Sequence, residues 1–369
     1  MIRSPLLPLF AEQLGAGPEL VGFIVAASTL TGVVMKLPAG VLSDRLGRRL
    51  FLWLGILVFA VAPLFYFVVT QLWQLALLRF FHGLATAIFT PVALAVVADL
   101  FPTQRGETIG WYSALRQSGT LLGRTGGGAL IDAVGFAAVF ATCGVIGGVI
   151  VGLFFLSSVG KGRVETADER ITWRQLWSGL VEIARHPRIV ASSLMQGLQM
   201  LADGALMAFL PLYGLVVGLT ATEVGLLFGL QGIISIVARP TMGRLSDRLG
   251  RSPLIVVGLL TCAAAFALLP VARTFLGLSA PALLFGFGGA VVASSTSAYV
   301  ADLTRARSLG SAMGVFGMLM DVGHASGPLV GGALIAAFGY QPAFVIIAAL
   351  LLAGAGWFLA VERARISKQ

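Results

Sequence analysis

Along this chain, uncharged apolar blocks alternate with short charged or Gly/Pro-rich breaks. No charge falls between Phe51 and Val69, nor between Phe136 and Val159. A hydrocarbon core about 30 Å thick needs about 20 apolar residues in a helix. Each block therefore predicts a membrane-spanning helix. The blocks place helices at residues 2–14, 21–41, 51–69, 75–98, 108–131 and 136–158. After a long polar linker they resume at 189–213, 224–242, 254–272, 276–301, 309–336 and 342–361. The expected fold class is an all-α polytopic membrane protein.

Composition agrees: 57% of the 369 residues are hydrophobic and only 11% are charged, and no water-soluble fold can hide that much apolar surface. A net charge of +9 would suit nucleic acid, but its placement argues for the bilayer as partner and against nucleic acid. Alternate breaks hold Arg45, Arg48 and Arg49, then Arg105, then the linker basic residues, then Arg244, Arg248 and Arg251, then Arg305 and Arg307, then the tail. The opposite breaks hold almost only Arg273. Lys and Arg gather on the cytoplasmic side of membrane proteins, so the basic breaks and both termini are expected in the cytoplasm, with the chain in the cell membrane. Cys143 and Cys262 both lie inside apolar spans, where packing explains them. Metal-ligand spacing and phosphate loops are not seen. Neither a cofactor nor a metal is expected, and a membrane enzyme is the weakest reading.

The decapeptide Gly40-Val-Leu-Ser-Asp-Arg-Leu-Gly-Arg-Arg49 has a near copy starting at Gly243. The offset (243 − 40 = 203) also carries Leu7-Pro8-Leu9-Phe10 onto Leu210-Pro211-Leu212-Tyr213 and Ala98-Asp99-Leu100 onto Ala301-Asp302-Leu303. One inserted residue later, Gly119, Gly123, Gly127 and Gly135 map onto Gly323, Gly327, Gly331 and Gly339. The chain is thus expected to be two parallel six-helix repeats: residues 1–159, a linker 160–188, and 189–369. An even helix count per half makes such repeats parallel.

The whole chain resembles the major facilitator superfamily. The decapeptide is similar to that family's GxxxDRxGRR motif. Arg79 and Gly83 match its RxxxG motif, with His82 where Gln is common. Gly323, Gly327, Pro328 and Gly331 match a GxxxGPxxGG pattern. The resemblance implies two six-helix bundles around a central cavity. It also implies alternating access driven by a proton gradient, and, through the resemblance to efflux permeases, export of a small molecule.

Two features depart from the family pattern. Helix 5 reads Gly119-xxx-Gly123-Arg124-xx-Gly127, so a cation replaces the proline that marks drug–proton antiporters, while the glycines still allow close helix packing. Helix 1 is also short, since 13 residues cover only about 20 Å. By the repeat, the first half of helix 1 is missing. The expectation is that Met1 is an internal methionine of a longer chain, or that the chain is trimmed. The alternative is a helix that really is short.

Ionisable residues inside a bilayer are costly and mark function by default. The first half carries Arg79, Arg116 and Arg124. The second carries Asp203 and Asp321, with His324. Gln196, Gln199 and Asp203, at i, i+3 and i+7, share one helix face. Asp321 and His324 are i, i+3 neighbours. On the functional reading these groups line a cavity, with an arginine contacting an anionic group and Asp203 or Asp321 carrying a proton. On the structural reading they lock helices together, and Ser and Thr bond their own backbone. The linker residues Trp173 and Trp177, set among arginines, read as an interfacial helix.

In the decapeptide, Gly40 permits close packing and Gly47 a conformation closed to other residues. Asp44 can cap a helix end or meet an arginine, and Asp99 and Asp302 are natural partners for Arg45, Arg48, Arg49 and the second set, Asp247, Arg248, Gly250 and Arg251. The family resemblance implies a cytoplasmic latch here, stronger in the first copy than in the copy at Gly243. Asp44→Asn is expected to abolish transport with membrane insertion intact, measured by flux beside membrane fractionation. The functional expectation is a monomeric secondary transporter of a small molecule, a proton-driven exporter first, a proton-coupled importer of an organic solute or anion second. A non-transporting membrane sensor is the reading from outside transport.

Overall fold

The computed structural model describes residues 6–101, 104–157, 186–304 and 309–366. The chain divides into two compact units, Met1–Arg170 and Ile171–Gln369. The break falls in the linker, where Trp173 and Trp177 lie outside the described residues. The first unit holds α1 (Leu7–Gln13), α2 (Pro18–Leu46), α3 (Arg48–Phe65) and α4 (Leu72–Leu100). The stretch Arg105–Leu156 is helical on both sides of Gly135, whose φ of 81° and ψ of 176° divide it into α5 (105–134) and α6 (136–156). The second unit holds α7 (Pro187–Val216), α8 (Ala221–Leu249), α9 (Arg251–Leu268), α10 (Phe275–Asp302), α11 (Leu309–Phe338) and α12 (Tyr340–Ile366). Large apolar side chains stand exposed on many helices, among them Trp111 (65%), Leu122 (71%) and Leu276 (81%). Surface of that kind needs a bilayer around it. Of the predicted first helix, residues 2–5 lie outside the described residues and the rest is α1.

The decapeptides are not loops, contrary to the sequence reading. α2 continues five residues past the predicted end, through Asp44 to Leu46, and α8 runs on to Leu249. The apolar block marks where the membrane ends, whereas backbone hydrogen bonding ends only at a residue that cannot continue the helix. That residue is Gly47 in the first copy, with φ 98°, and Gly250 in the second, with φ 92°.

The duplication is written into the backbone. The positive-φ residues among those described are all glycines and fall into repeat-related pairs: Gly15 with Gly218, Gly47 with Gly250, and Gly135 with Gly339. A Cβ at Gly47 would meet nothing within 4 Å, so only backbone conformation demands glycine there. Gly47→Ala is expected to destabilise by about 1–2 kcal/mol, read as a lower unfolding temperature in detergent.

Helix crossings repeat as well. A Cβ at Gly83 on α4 would strike the Ser28 carbonyl of α2. One at Gly286 on α10 would strike that of Gln231 on α8, the repeat mate of Ser28. At the end away from the decapeptides, Phe10 packs on Phe136 and Phe140 with ring centroids 5.5 and 5.3 Å away. Tyr213, Tyr340 and Phe344 repeat the cluster at 5.7 and 5.2 Å. Such pairs add about 0.5–1.5 kcal/mol each beyond the area they bury, and they join α1 to α6 and α7 to α12.

Candidate functional site

In each unit an ion pair joins two helices where the decapeptide ends. Gly47 and Gly250 turn the chain so that the next residue, Arg48 or Arg251, opens a helix aimed at the end of α4 or α10. Arg48 pairs with Asp99, and Arg251 Nε lies 3.0 Å from Asp302 Oδ2. Arg251 also meets Asp247 and Ser246, while Asp247 and Arg248 are exposed. The carboxylates of both pairs are well exposed, at 40% and 57%, so each pair is worth about 1 kcal/mol or less. Their role is positional. Arg49 donates to the Ser157 carbonyl at 3.1 Å and lies 5.2 Å from the Phe154 ring centre, tying α3 to α6. Its counterpart Ser252 donates to Glu362 at 3.1 Å, tying α9 to α12. Different chemistry thus fastens the same joint. Gly40, Asp44 and Arg45 lie in α2, and the side chains of Asp44 and Arg45 and the surroundings of Gly40 lie outside what is described.

Arg79 is buried (8%). Its Nε donates to the Ile24 carbonyl at 3.4 Å, and its Nη2 to the Val25 carbonyl at 3.3 Å and to Ser28 Oγ. A guanidinium spends its fork of donors well on such carbonyls, and here it pins α4 to α2. The His82 ring packs edge-on against Phe59, 5.0 Å away. On α5, Arg116 is exposed and Arg124 half-buried.

Polar side chains cluster along α7 in the second unit. Gln196 and Gln199 are 1% and 2% exposed. Gln196 donates to Gln199 at 3.0 Å and accepts from Thr296 of α10 at 2.9 Å. These amides are therefore packed between helices, where an unpaired amide would cost several kcal/mol. One turn on, Asp203 Oδ1 accepts from Gln231 Nε2 of α8 at 3.2 Å. Asp203 Oδ2 faces His324 Nδ1 of α11 at 3.6 Å, both side chains about a quarter exposed. The sequence set His324 beside Asp321, its neighbour on α11. The imidazole turns to Asp203 instead, because α11 crosses α7 at backbone contact here. Asp321 is half-buried.

Glycines create that contact. A Cβ at Gly323 would strike Gly197. One at Gly327 would strike the Leu201 carbonyl, and one at Gly204 the carbonyl of His324, with Pro328 at 3.0 Å. Gly331 faces the Phe209 ring at 3.0 Å. The repeat mate Gly119 is different, since a Cβ there would meet nothing within 4 Å. Among the described residues no atom comes that near Gly119. Gly123 and Gly127 are buried.

Sequence reasoning missed Ser28 and Gln231, which hold the buried Arg79 and the half-buried Asp203. One signal was available: they are repeat mates (231 − 28 = 203), and Gln231 is a lone amide in an apolar run. Ser294 and Ser297 bond their own helix carbonyls, Ala290 at 2.9 Å and Ala293 at 2.8 Å.

A family model described as Major Facilitator Superfamily matches residues 1–220 and 192–369. The chain is 26% identical over 325 residues to the "Uncharacterized MFS-type transporter MJ1560" of Methanocaldococcus jannaschii, spanning 87% of this chain and 83% of that one. It is 27% identical over 361 residues to the multidrug resistance protein MdtG of Klebsiella pneumoniae, spanning 94% and 86%. Among solved structures, an inward-facing bacterial homolog of the human lysosomal transporter Spinster has a TM-score of 0.86 at 16% identity, covering 100% of this chain and 94% of that one. The nucleoside transporter NupG has a TM-score of 0.80 at 15% identity, covering 97% and 93%. At these identities the two structures speak for fold alone.

Proposed function

Since the chain belongs to the Major Facilitator Superfamily, and is thus a multi-pass membrane transporter of small molecules, we propose that it exports a small organic molecule in exchange for protons. The observation that carries this reading is Asp203, a carboxylate midway along a spanning helix, three-quarters buried and set against an imidazole. A carboxylate so placed is a natural proton carrier. Export is supported by the likeness to multidrug resistance proteins across most of both chains.

In this reading the decapeptide end faces the cytoplasm of a bacterial cell, as its arginines demand. Arg48 with Asp99 and Arg251 with Asp302 hold the helix ends rigid there while the two units rock, and Asp44 forms the latch. An importer of an organic anion would use Arg79 as its anchor. Arg79 is engaged with α2, which favours the exporter.

The test is expression in an efflux-deficient bacterial host challenged with toxic lipophilic compounds and organic acids. Raised tolerance to some compounds, lost in Asp203→Asn at equal membrane abundance, is the expected result. Unchanged tolerance across the panel would remove the reading.

A further inference from the structure

His324 is where the polar cluster and the glycine contact meet. Its carbonyl is the atom that a side chain at Gly204 would strike. Its ring Nδ1 is buried and makes no hydrogen bond among the described residues, although it points at Asp203 Oδ2 from 3.6 Å. A nitrogen–oxygen hydrogen bond needs about 2.7–3.2 Å, so this one is poised and unmade. Asp203 already has its other oxygen satisfied by Gln231. The site is thus one held carboxylate oxygen, one free to accept, and an imidazole nitrogen just out of reach.

The other ionisable groups around the pair are few. On α8, Arg239 is within electrostatic reach of Asp203, as is Cys262 of α9. On α11 itself, Asp321 stands one turn away. Along α10 and α12 the charged groups, Asp302, Glu362, Arg363 and Arg365, sit at the decapeptide end, and Glu362 is engaged with Tyr299 and Ser252. No second carboxylate on a neighbouring helix competes for His324 among the described residues.

We infer that Asp203 and His324 form one proton site that the two helices share, and that its occupancy is linked to the packing of α11 on α7. This rests on the proton-exchange reading. With the imidazole hydrogen on Nε2, the Nδ1 lone pair and the carboxylate oxygen repel, which fits the open 3.6 Å gap. One added proton between them makes an Nδ1–H to Oδ2 hydrogen bond and an ion pair. The imidazole sits at the crossing itself, where the backbones touch at Gly197, Gly323, Gly204 and Gly327, so making that bond acts on the α7–α11 contact. Any motion that parts the helices loosens the proton by the same coupling.

The pair can be observed without knowing the substrate. The chain has three histidines, so ring 15N resonances of the full-length protein in nanodiscs can be assigned to His324 by difference from His324→Gln. A pH titration of that resonance is then compared with Asp203→Asn, Asp203→Glu and Gly204→Ala. The expected result is a midpoint displaced by one pH unit or more in Asp203→Asn, tenfold or more in proton affinity, largely restored in Asp203→Glu. Gly204→Ala keeps both titrating groups and is expected to displace the midpoint as well, because it holds the helices apart. A midpoint unmoved in Asp203→Asn, or a His324 that does not titrate in the wild type, overturns the shared site. A midpoint unmoved in Gly204→Ala overturns the linkage to packing. A displaced midpoint in a protein that confers no tolerance would remove the export reading and leave this site standing. Proton-driven export with an unmoved midpoint would do the reverse.

Discussion

Gly323→Ala and Gly327→Ala are expected to destabilise the second unit by about 2–3 kcal/mol each, the upper range for overpacking, whereas Gly119→Ala changes stability little. All three glycines sit in the same GxxxG spacing, and the sequence gives no reason to separate them. Their neighbours do. A Cβ at Gly323 meets the oxygen, carbonyl carbon and Cα of Gly197. One at Gly327 meets Leu201 O, Ala205 N at 2.7 Å and the carbonyl carbon of Gly204 at 3.0 Å. These are backbone atoms of α7, which cannot turn aside as a side chain can. Nor can α7 retreat, since Ala202, Ala205, Ala208 and Phe209 are all buried at 1% exposure or less. A Cβ at Gly331 would meet the Phe209 ring at 3.0 Å, which can tilt, and the Ala205 Cβ at 3.2 Å, with no backbone atom so near, so Gly331→Ala should cost less. Thermal unfolding of the purified variants in detergent orders them: 323 and 327 lowest, 331 between, 119 near wild type. Equal losses at Gly119 and Gly323 would show that the α7–α11 contact is wrongly drawn.

The second large effect is functional. Asp203→Asn is expected to leave a folded protein that no longer concentrates or expels its substrate against a gradient. Asparagine keeps the shape and can still accept from Gln231, so the loss should not come from misfolding. What goes is the group that binds a proton. A potential of 100 mV is worth about 2.3 kcal/mol per charge moved, and each 1.4 kcal/mol is tenfold in a concentration ratio, so coupling to one charge sustains a ratio of about 50. In Asp203→Asn that ratio should fall to about 1, while exchange of labelled for unlabelled substrate continues. Wild-type accumulation by the variant would place the proton elsewhere.

How far the sequence could be read follows from which forces are local. Apolar blocks reveal spans because the bilayer acts on every residue of a span alike. The 203-residue offset reveals the duplication, and with it the pairing of Gly47 with Gly250 and of Arg48–Asp99 with Arg251–Asp302, because those joints recur with their residues. Helix ends were less legible. α2 overran its apolar block, since nothing before Gly47 stops the backbone. Partners between helices were least legible. His324 looked tied to Asp321 because i, i+3 proximity is visible along a chain. Its contact with Asp203 depends on the rotation of α7 and on how closely Gly204, Gly323 and Gly327 let α11 approach. Arg79 looked like a substrate contact because an intramembrane charge marks function by default, and its engagement with Ser28, Ile24 and Val25 depends on the α2–α4 crossing at Gly83.

The measurement closest to the central claim is proton movement across proteoliposomes of the purified full-length chain, with a pH-sensitive dye inside. The probe is whichever compound the tolerance panel identifies. In the wild type, adding it is predicted to drive protons in the direction opposite to its own movement. In Asp203→Asn the compound is predicted to cross with no proton signal. Proton movement of equal size in both proteins would contradict the account.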